Sequence, residues 1–195
     1  IFCKIIYTYI FNNRLSWWAE EYSVYTEAQA GFRKKMGTVD TIMFVINGLN
    51  NHFLNSGKTL YITMVDYRKA YDYVVRDVLW YKLIQFGVRG KVLNIIKSMY
   101  SNIESKVKYN NDTSNSYTHA FGVAQGDCLS SFLFSLYLND IEQVLEVKGF
   151  EGINIGMLKM FILLYADDIV ILSETEIGLQ NGLDILYEYC KESKL

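Results

Sequence analysis

Residues 160–172 read MFILLYADDIVIL, so two adjacent carboxylates, Asp167 and Asp168, stand between two apolar runs. The runs Met160 to Leu164 and Ile169 to Leu172 predict two short buried strands joined by a tight turn. A buried pair of charges is costly unless a cation neutralises it, so we expect the turn at the rim of the sheet. Two interpretations stay open locally: an ordinary acidic hairpin turn, or a pair of metal ligands.

A third carboxylate ends another predicted strand. Residues 60–66 read LYITMVD, and in a strand Ile62, Met64 and Asp66 share one face, which predicts a carboxylate at the end of a row of core residues. Three carboxylates at neighbouring strand ends would form an oxygen-ligand site suited to magnesium, and two such ions can assist an attack on a phosphate. The alternative for Asp66 is a turn or helix-capping role, for which Asp72 is the better candidate.

A third motif, GVAQG, spans residues 122–126. The two glycines permit close approach of the backbone to a ligand, and Gln125 offers both a hydrogen-bond donor and an acceptor. A simple strand-to-helix loop explains such a string equally well.

The remaining periodicity predicts helices and one hairpin in a single compact unit of α+β class. The predicted elements are helices over 39–53, 75–86, 91–100 and 179–190, a long helix from Ser130 to Leu145, and a hairpin of strands 106–110 and 117–123.

Composition excludes several classes of protein. The chain has 195 residues, 51% of them hydrophobic and 15% aromatic, with a net charge of −2, which argues against disorder. No apolar run approaches the ~20 residues of a membrane span. Three widely spaced cysteines and two histidines argue against a zinc site or a disulfide framework and favour an intracellular location. The first residue is Ile1, so we interpret the sequence as a piece of a longer reading frame.

The charges are unevenly distributed. Residues 1–126 carry 15 basic and 9 acidic groups, a net +6, whereas residues 127–195 carry 4 basic and 12 acidic groups, a net −8. This pattern would suit a nucleic-acid track beside a cation site, and it would equally suit two solvated faces without a role.

Four motifs in this order resemble a reverse transcriptase, most closely the non-LTR (LINE-like) retrotransposon type. They are QAGFR at 29–33, MVDYRKAYD at 64–72, GVAQGDCLS at 122–130 and YADD at 165–168. The resemblance covers about Arg14 to Tyr189. It implies an α+β right-hand polymerase fragment: a fingers part over about 1–59, a palm with an antiparallel sheet flanked by helices over about 60–195, and no thumb.

The resemblance also implies a role for each matching residue. Asp66, Asp167 and Asp168 would be the catalytic metal ligands, holding two Mg²⁺ ions or their Mn²⁺ substitutes. Tyr71 would be the aromatic gate against a ribose 2′-hydroxyl. Gln125 and Gly126 would lie beside the incoming nucleotide, and Arg33 near the template or the triphosphate. Taken singly, Tyr71 and Arg33 fit packing and a solvated charge just as well.

The implied function is RNA-directed DNA synthesis, in which a primer 3′-hydroxyl attacks a dNTP. Its partners would be template RNA, primer DNA and the rest of its own polyprotein, which in this family often includes an endonuclease, with no membrane; it would act in the cytoplasm and nucleus.

The sequence also departs from the family pattern. Ser131 replaces a proline, Ala124 replaces a basic residue, and KMGT at 35–38 replaces the usual Gly-Arg-Ser-Thr after the fingers arginine. These departures keep alternatives open: an inactive remnant, a group II intron or retron-type enzyme, or a generic cation-binding α+β protein.

Overall fold

The computed structural model describes residues 2–34, 36, 47–49, 51, 53–101, 103–110, 112–155 and 157–195. The helices are α1 (Phe2–Glu21), α2 (Ala70–Tyr73), α3 (Arg76–Gln85), α4 (Gly90–Tyr100), α5 (Cys128–Tyr137), α6 (Ile141–Val147) and α7 (Glu176–Ser193). The strands are β1 (Tyr61–Asp66), β2 (Glu104–Ser105), β3 (Lys108–Tyr109), β4 (Asp112–Thr113), β5 (Tyr117–Thr118), β6 (Ile153–Ile155), β7 (Leu158–Met160), β8 (Ile162–Tyr165) and β9 (Asp168–Ser173). Residues 47–49, 51 and 53–56 are also helical, and the rest of the helix predicted over 39–53 lies outside the described residues.

The main sheet has three antiparallel strands in the order β1-β9-β8. β8 and β9 form the hairpin predicted from the YADD segment, and β1 pairs along the whole of β9. The mixture of helices and antiparallel strands agrees with the predicted α+β class. Since β1 precedes β9 by about a hundred residues, this sheet brings distant segments to one edge.

The main sheet buries only one of its faces fully. Ile162, Leu164, Ile169 and Ile171 are almost wholly buried in the principal core. Ile62 and Met64 lie on the other face and are 48% and 81% exposed, so their predicted place in the core is wrong. They do share a face with Asp66, as the strand period requires, but the principal core lies on the opposite side, and a small second cluster that includes Leu49, Phe53 and Leu172 covers only part of this face.

Helix α5 forms the centre of the core. Nearly every side chain on it is buried, including Leu129, Leu133, Phe134 and Tyr137. A helix that is apolar on all sides needs neighbours all round, and α1 and α3 supply them. This packing fixes the position of the first turn of α5.

A buried ammonium group ties three helices together. Lys82 Nζ on α3 donates hydrogen bonds to Tyr137 O (2.7 Å), Asp140 Oδ1 (2.7 Å) and Tyr189 OH (2.8 Å). Burial lowers the pKa of Lys82, and the Asp140 carboxylate partly offsets that shift. The network links α3 and α7 to the end of α5 beneath the sheet.

The long helix predicted from Ser130 to Leu145 is two helices, α5 and α6. The chain turns at Asn139, whose buried side chain donates to Val24 O (2.7 Å) and accepts from Thr26 N (2.8 Å). These bonds to a distant loop replace helical continuity, because an asparagine side chain competes well for backbone groups.

The hairpin predicted over 106–123 is shorter than expected. β2 pairs with β5, and β3 pairs with β4, so an antiparallel arm exists, but pairing on its second side ends at Thr118. The backbone of residues 121–123 forms hydrogen bonds with the region around α2 instead, as described below. A second small hairpin, β6–β7, was not predicted.

None of the helices within the described ranges is long and apolar enough to cross a bilayer.

Candidate active site

Two of the three predicted aspartates face each other across the main sheet. Asp66 at the end of β1 is the direct partner of Asp168 at the start of β9, and both side chains are exposed. Directly opposed residues of an antiparallel pair project from the same face, with Cβ atoms typically ~5 Å apart. The pairing therefore places two carboxylates side by side at the rim of the open face.

The third aspartate lies in the turn that joins β8 to β9. Tyr165 pairs with Asp168, which leaves Ala166 and Asp167 as a two-residue loop, here called the aspartate turn (residues 165–168). Ala166 has φ 59°, although such a loop normally places glycine at a left-handed first position. An L-residue there costs ~1–2 kcal/mol, so packing around the turn must hold it in place.

The QAGF segment supplies that packing. Ala30 N donates to Leu164 O and Leu164 N donates to Ala28 O, both at 2.9 Å, so residues 28–30 run beside β8 as a short parallel partner. A Cβ on Gly31 would lie 2.3 Å from Ala166 N, so only glycine allows this approach. A motif from the first part of the chain thus supports the aspartate turn.

A cleft of about 670 Å³ opens beside the aspartate turn. It collects four of the predicted site residues: Asp167, Tyr71, Gln125 and Gly126. Its other lining residues are Asn12, Ser16, Tyr25, Phe32, Asp127, Cys128, Ser131 and Phe132. Asp66 and Asp168 are not among the residues that line it.

Tyr71 forms a half-buried aromatic wall of the cleft. Its ring stacks on Phe134, with centroids 4.9 Å apart and planes 20° from parallel. Burial raises the pKa of Tyr71, a hydrogen bond with Ser131 opposes the shift, and the charge of Asp167 adds to it. Ser131, a departure from the family pattern, therefore interacts with this phenol from the first turn of α5.

The GVAQG loop is attached to the segment that follows β1. Gly122 N donates to Val74 O and Val123 N donates to Tyr71 O, both at 2.8 Å. Gly122 has φ 83°, and a Cβ there would lie 2.9 Å from Asp72 O. The first glycine is thus required by close packing within the protein, whereas Gly126 has no atom near its would-be Cβ and faces the cleft.

Arg76 holds this loop in place through hydrogen bonds. The sequence analysis did not identify this residue. Its guanidinium donates to the carbonyl oxygens of Gly122 (2.9 Å), Phe121 (3.1 Å) and Tyr100 (2.8 Å). An arginine at the start of a helix carries no distinguishing pattern, so no sequence signal points to this role. The contact shows why the loop keeps Gln125 at the cleft without strand pairing of its own.

Arg33 is a largely buried side chain and not a solvated charge. It is 14% exposed and forms a two-pronged pair with Glu20 (2.8 and 3.0 Å). It also donates to the carbonyl oxygens of Thr26 and Gln29, and its guanidinium lies over the Tyr25 ring. In this structure Arg33 holds the wall of the cleft together and does not line it.

The three aspartates have no cationic partner: none of the ion pairs found within the described ranges includes Asp66, Asp167 or Asp168. Hard carboxylate oxygens without a cationic neighbour are the donor set that a divalent cation of the magnesium type prefers. The described side chains nevertheless contain no group of three or more acidic, histidine or cysteine residues gathered closely enough to hold an ion. The backbone brings the three aspartates to one end of the sheet, and their role as metal ligands stays a prediction.

Comparison with known proteins places this site in a family. Residues 3–195 match the family described as reverse transcriptase (RNA-dependent DNA polymerase), and the chain belongs to that family. It is 27% identical over 159 residues to the retrovirus-related Pol polyprotein from the type-2 retrotransposable element R2DM of Drosophila melanogaster, covering 80% of this chain. It is 33% identical over 130 residues to the Pol polyprotein of an R2 element of Nasonia vitripennis, covering 65% of this chain. The resemblance to a non-LTR reverse transcriptase is thereby confirmed.

The chain spans 14% and 12% of the lengths of these two relatives. Among solved structures, it is similar to telomerase from Candida albicans in complex with the TWJ fragment of telomeric RNA, with a TM-score of 0.62 and 16% identity. That likeness covers 91% of this chain and 32% of the telomerase chain, and it concerns the fold alone. Enzymes of the reverse transcriptase family use divalent metal ions, with which the carboxylate donor set agrees.

Proposed function

We propose that this chain is the nucleotidyl-transfer domain of an RNA-directed DNA polymerase from a non-LTR retrotransposon. The observation that carries the proposal is that the rim of the sheet, where the aspartates lie, adjoins the cleft. Asp66 and Asp168 face each other at the rim, and Asp167, one residue away, enters a cleft shared with Tyr71 and Gln125.

The right-hand description of the domain belongs to this proposal. Residues from about 60 to 195, with the main sheet on the helical core, would form the palm, and residues 1–59 would form part of the fingers. The aspartate turn is supported by residues 28–31 of the fingers part, which agrees with the two parts acting as one site.

Asp66, Asp167 and Asp168 would hold two Mg²⁺ ions, or Mn²⁺ in their place. Bound there, the ions would lower the pKa of the attacking hydroxyl and neutralise charge on the leaving pyrophosphate. The chain's own contribution is placement: the register between β1 and β9 sets Asp168 opposite Asp66, and the two-residue loop between β8 and β9 sets Asp167 next to them.

The other residues of the cleft would select and hold the nucleotide. Tyr71 is held flat against Phe134 and presents a rigid ring to the sugar. Gln125 and Gly126 are exposed on a loop fixed at its base by Arg76, so their backbone can approach a ligand closely.

Template RNA, primer DNA and dNTP would be the partners, together with the rest of the polyprotein, which would contribute further activities such as an endonuclease. The basic excess of residues 1–126 agrees with contacts to phosphates, and the acidic excess of residues 127–195 with a cation site. The place of action would be inside the cell, in the cytoplasm and nucleus.

The proposal is tested by primer extension with the full-length protein that contains this chain. We expect incorporation of dNTP on an RNA template that requires both primer and divalent metal. An intact, folded protein that extends no primer on either RNA or DNA would contradict the proposal and favour an inactive remnant, an alternative to which the departures at Ala124 and Ser131 already point.

Replacement of Tyr71 by alanine tests the aromatic wall. Without the ring, the 2′-hydroxyl of a ribonucleotide meets no obstacle, so we expect ribonucleotide use relative to dNTP to rise ~10–100-fold, the scale of pocket-based discrimination. The loss of stability should stay below the ~3 kcal/mol of a fully buried ring, since Tyr71 is half-buried. The measurement is the ratio of kcat/KM for dNTP and rNTP.

Two controls accompany this variant. Tyr71→Phe keeps the ring and should keep discrimination. Tyr73→Ala removes an exposed ring from the same short helix and should change neither quantity. An unchanged ratio in a folded Tyr71→Ala protein would leave Tyr71 with a packing role only.

A further inference from the structure

The side chain of Gln29 is completely buried beneath the aspartate turn. Its Oε1 accepts two backbone hydrogen bonds, from Gly31 N at 2.8 Å and from Ala166 N at 3.2 Å. The first bond orders its own segment. The second reaches 137 residues along the chain to the residue immediately before Asp167.

The orientation of this amide follows from its neighbours. Two N–H groups converge on one end of it, and only the carbonyl oxygen can accept from both. The other end, Nε2, is buried without a partner among the described residues. A buried amide nitrogen without a hydrogen-bond partner lowers the stability of the fold. The bonds that the carbonyl oxygen accepts therefore explain why the side chain lies here.

The Ala166 N–H needs this acceptor. It belongs to the first residue of a two-residue loop, whose N–H lies outside the strand ladder and normally reaches water. Here Ala166 is buried against Gly31, so water is excluded, and Gln29 supplies the acceptor. Since Ala166 also has a left-handed backbone, this bond acts on the most constrained residue of the loop.

We propose that Gln29 is a positioning residue for the aspartate turn: its buried carbonyl fixes the Ala166 N–H and thereby the direction in which Asp167 leaves the sheet. The inference rests on the proposed function for its effect on catalysis, whereas its effect on the turn is a property of the fold. Gln29 touches no reacting group and acts through Ala166.

The experiment uses the full-length protein with three variants. Gln29→Met keeps the length of the side chain and removes the acceptor. Gln29→Glu keeps an oxygen that can accept both bonds, because a carboxyl group buried at this position is favoured in its neutral form. Gln180→Met is the matched control, because Gln180 is exposed on α7 and bonds only to Asp184 among the described residues.

The first readout is amide hydrogen exchange of residues 163–168. We expect it to accelerate about tenfold in Gln29→Met and to stay at the wild-type rate in Gln29→Glu and Gln180→Met. Exchange that is unchanged in Gln29→Met, or that accelerates equally in every segment of the protein, would overturn the proposal. If Gln29→Met does not fold, rapid exchange of residues 163–168 in a folded Gln29→Glu protein would overturn it instead.

The second readout is primer extension. A displaced Asp167 should lower kcat about 10–100-fold and leave KM for dNTP within about twofold, since binding contacts from Tyr71 and Gln125 persist. Gln29→Glu should recover most of kcat. A wild-type kcat in Gln29→Met overturns the positioning role, whereas an inactive wild-type protein refutes the proposed function and leaves the exchange result standing.

Discussion

Asp167→Asn in the full-length protein is expected to lower nucleotide incorporation at least about 1,000-fold while the fold is retained. Stabilisation of transition-state charge by a bound divalent ion contributes several kcal/mol, and ~4 kcal/mol corresponds to a factor of ~1,000 in rate. Asparagine keeps the shape of the side chain and removes the anionic ligand. The measurement is single-nucleotide primer extension at saturating dNTP and metal.

The stability of this variant should be equal to or higher than that of the wild type without added metal. Asp167 lies next to Asp168, which itself faces Asp66, and removal of one negative charge relieves repulsion among the three. The matched control is Asp184→Asn on the exposed side of α7, which should alter neither rate nor stability. Near-normal extension by Asp167→Asn would remove Asp167 from the catalytic residues.

Raising the pH from 10 to 12 is expected to destabilise the fold by up to about 5 kcal/mol through two buried tyrosines alone. Burial raises the pKa of Tyr100 and of Tyr137 to about 12, whereas their ordinary value is 10.0. Above pH 10 the unfolded chain releases both protons and the folded chain keeps them, so stability falls as pH rises. Each tyrosine contributes ~1.4 kcal/mol per pH unit, and its contribution is fully present below pH 10 and lost as the pH approaches 12.

Other buried groups change how steeply stability falls with rising pH, but they do not reverse the fall. Burial also raises the pKa of Tyr25, Tyr67 and Tyr189, which steepens the loss. Lys82 acts in the opposite direction, because its pKa is lowered on folding and stability gained from its deprotonation rises with pH. The gain in stability from one lysine is smaller than the loss from five tyrosines.

The prediction is checked by denaturant unfolding at pH 8, 9, 10 and 11. The double variant Tyr100→Phe, Tyr137→Phe should show a shallower decline above pH 10 because both phenols are gone. Tyr109→Phe, which alters a tyrosine that is 76% exposed, is the control and should follow the wild type. A decline of equal slope in the double variant would show that other groups govern alkaline unfolding.

The sequence by itself determined the local elements and the family. The period of two in residues 60–66 and the apolar runs around Asp167 and Asp168 encode β1, β8 and β9, because side chains alternate in a strand whatever surrounds it. Four short motifs in order sufficed to predict a reverse transcriptase, since each requires particular residue types at fixed spacing.

The tertiary structure decided which faces are buried and what each polar side chain binds. The period of two places Ile62 and Met64 on the same side as Asp66, but only the assembled fold shows that the principal core lies on the other side and leaves these two side chains exposed. Asn139 ends a helix because Val24 and Thr26 lie within reach, and Arg33 pairs with Glu20 because α1 lies beside it. Hydrogen bonds between residues more than a hundred positions apart leave no local pattern. The contact of Gln29 with the aspartate turn is of this kind, so only the assembled fold reveals it.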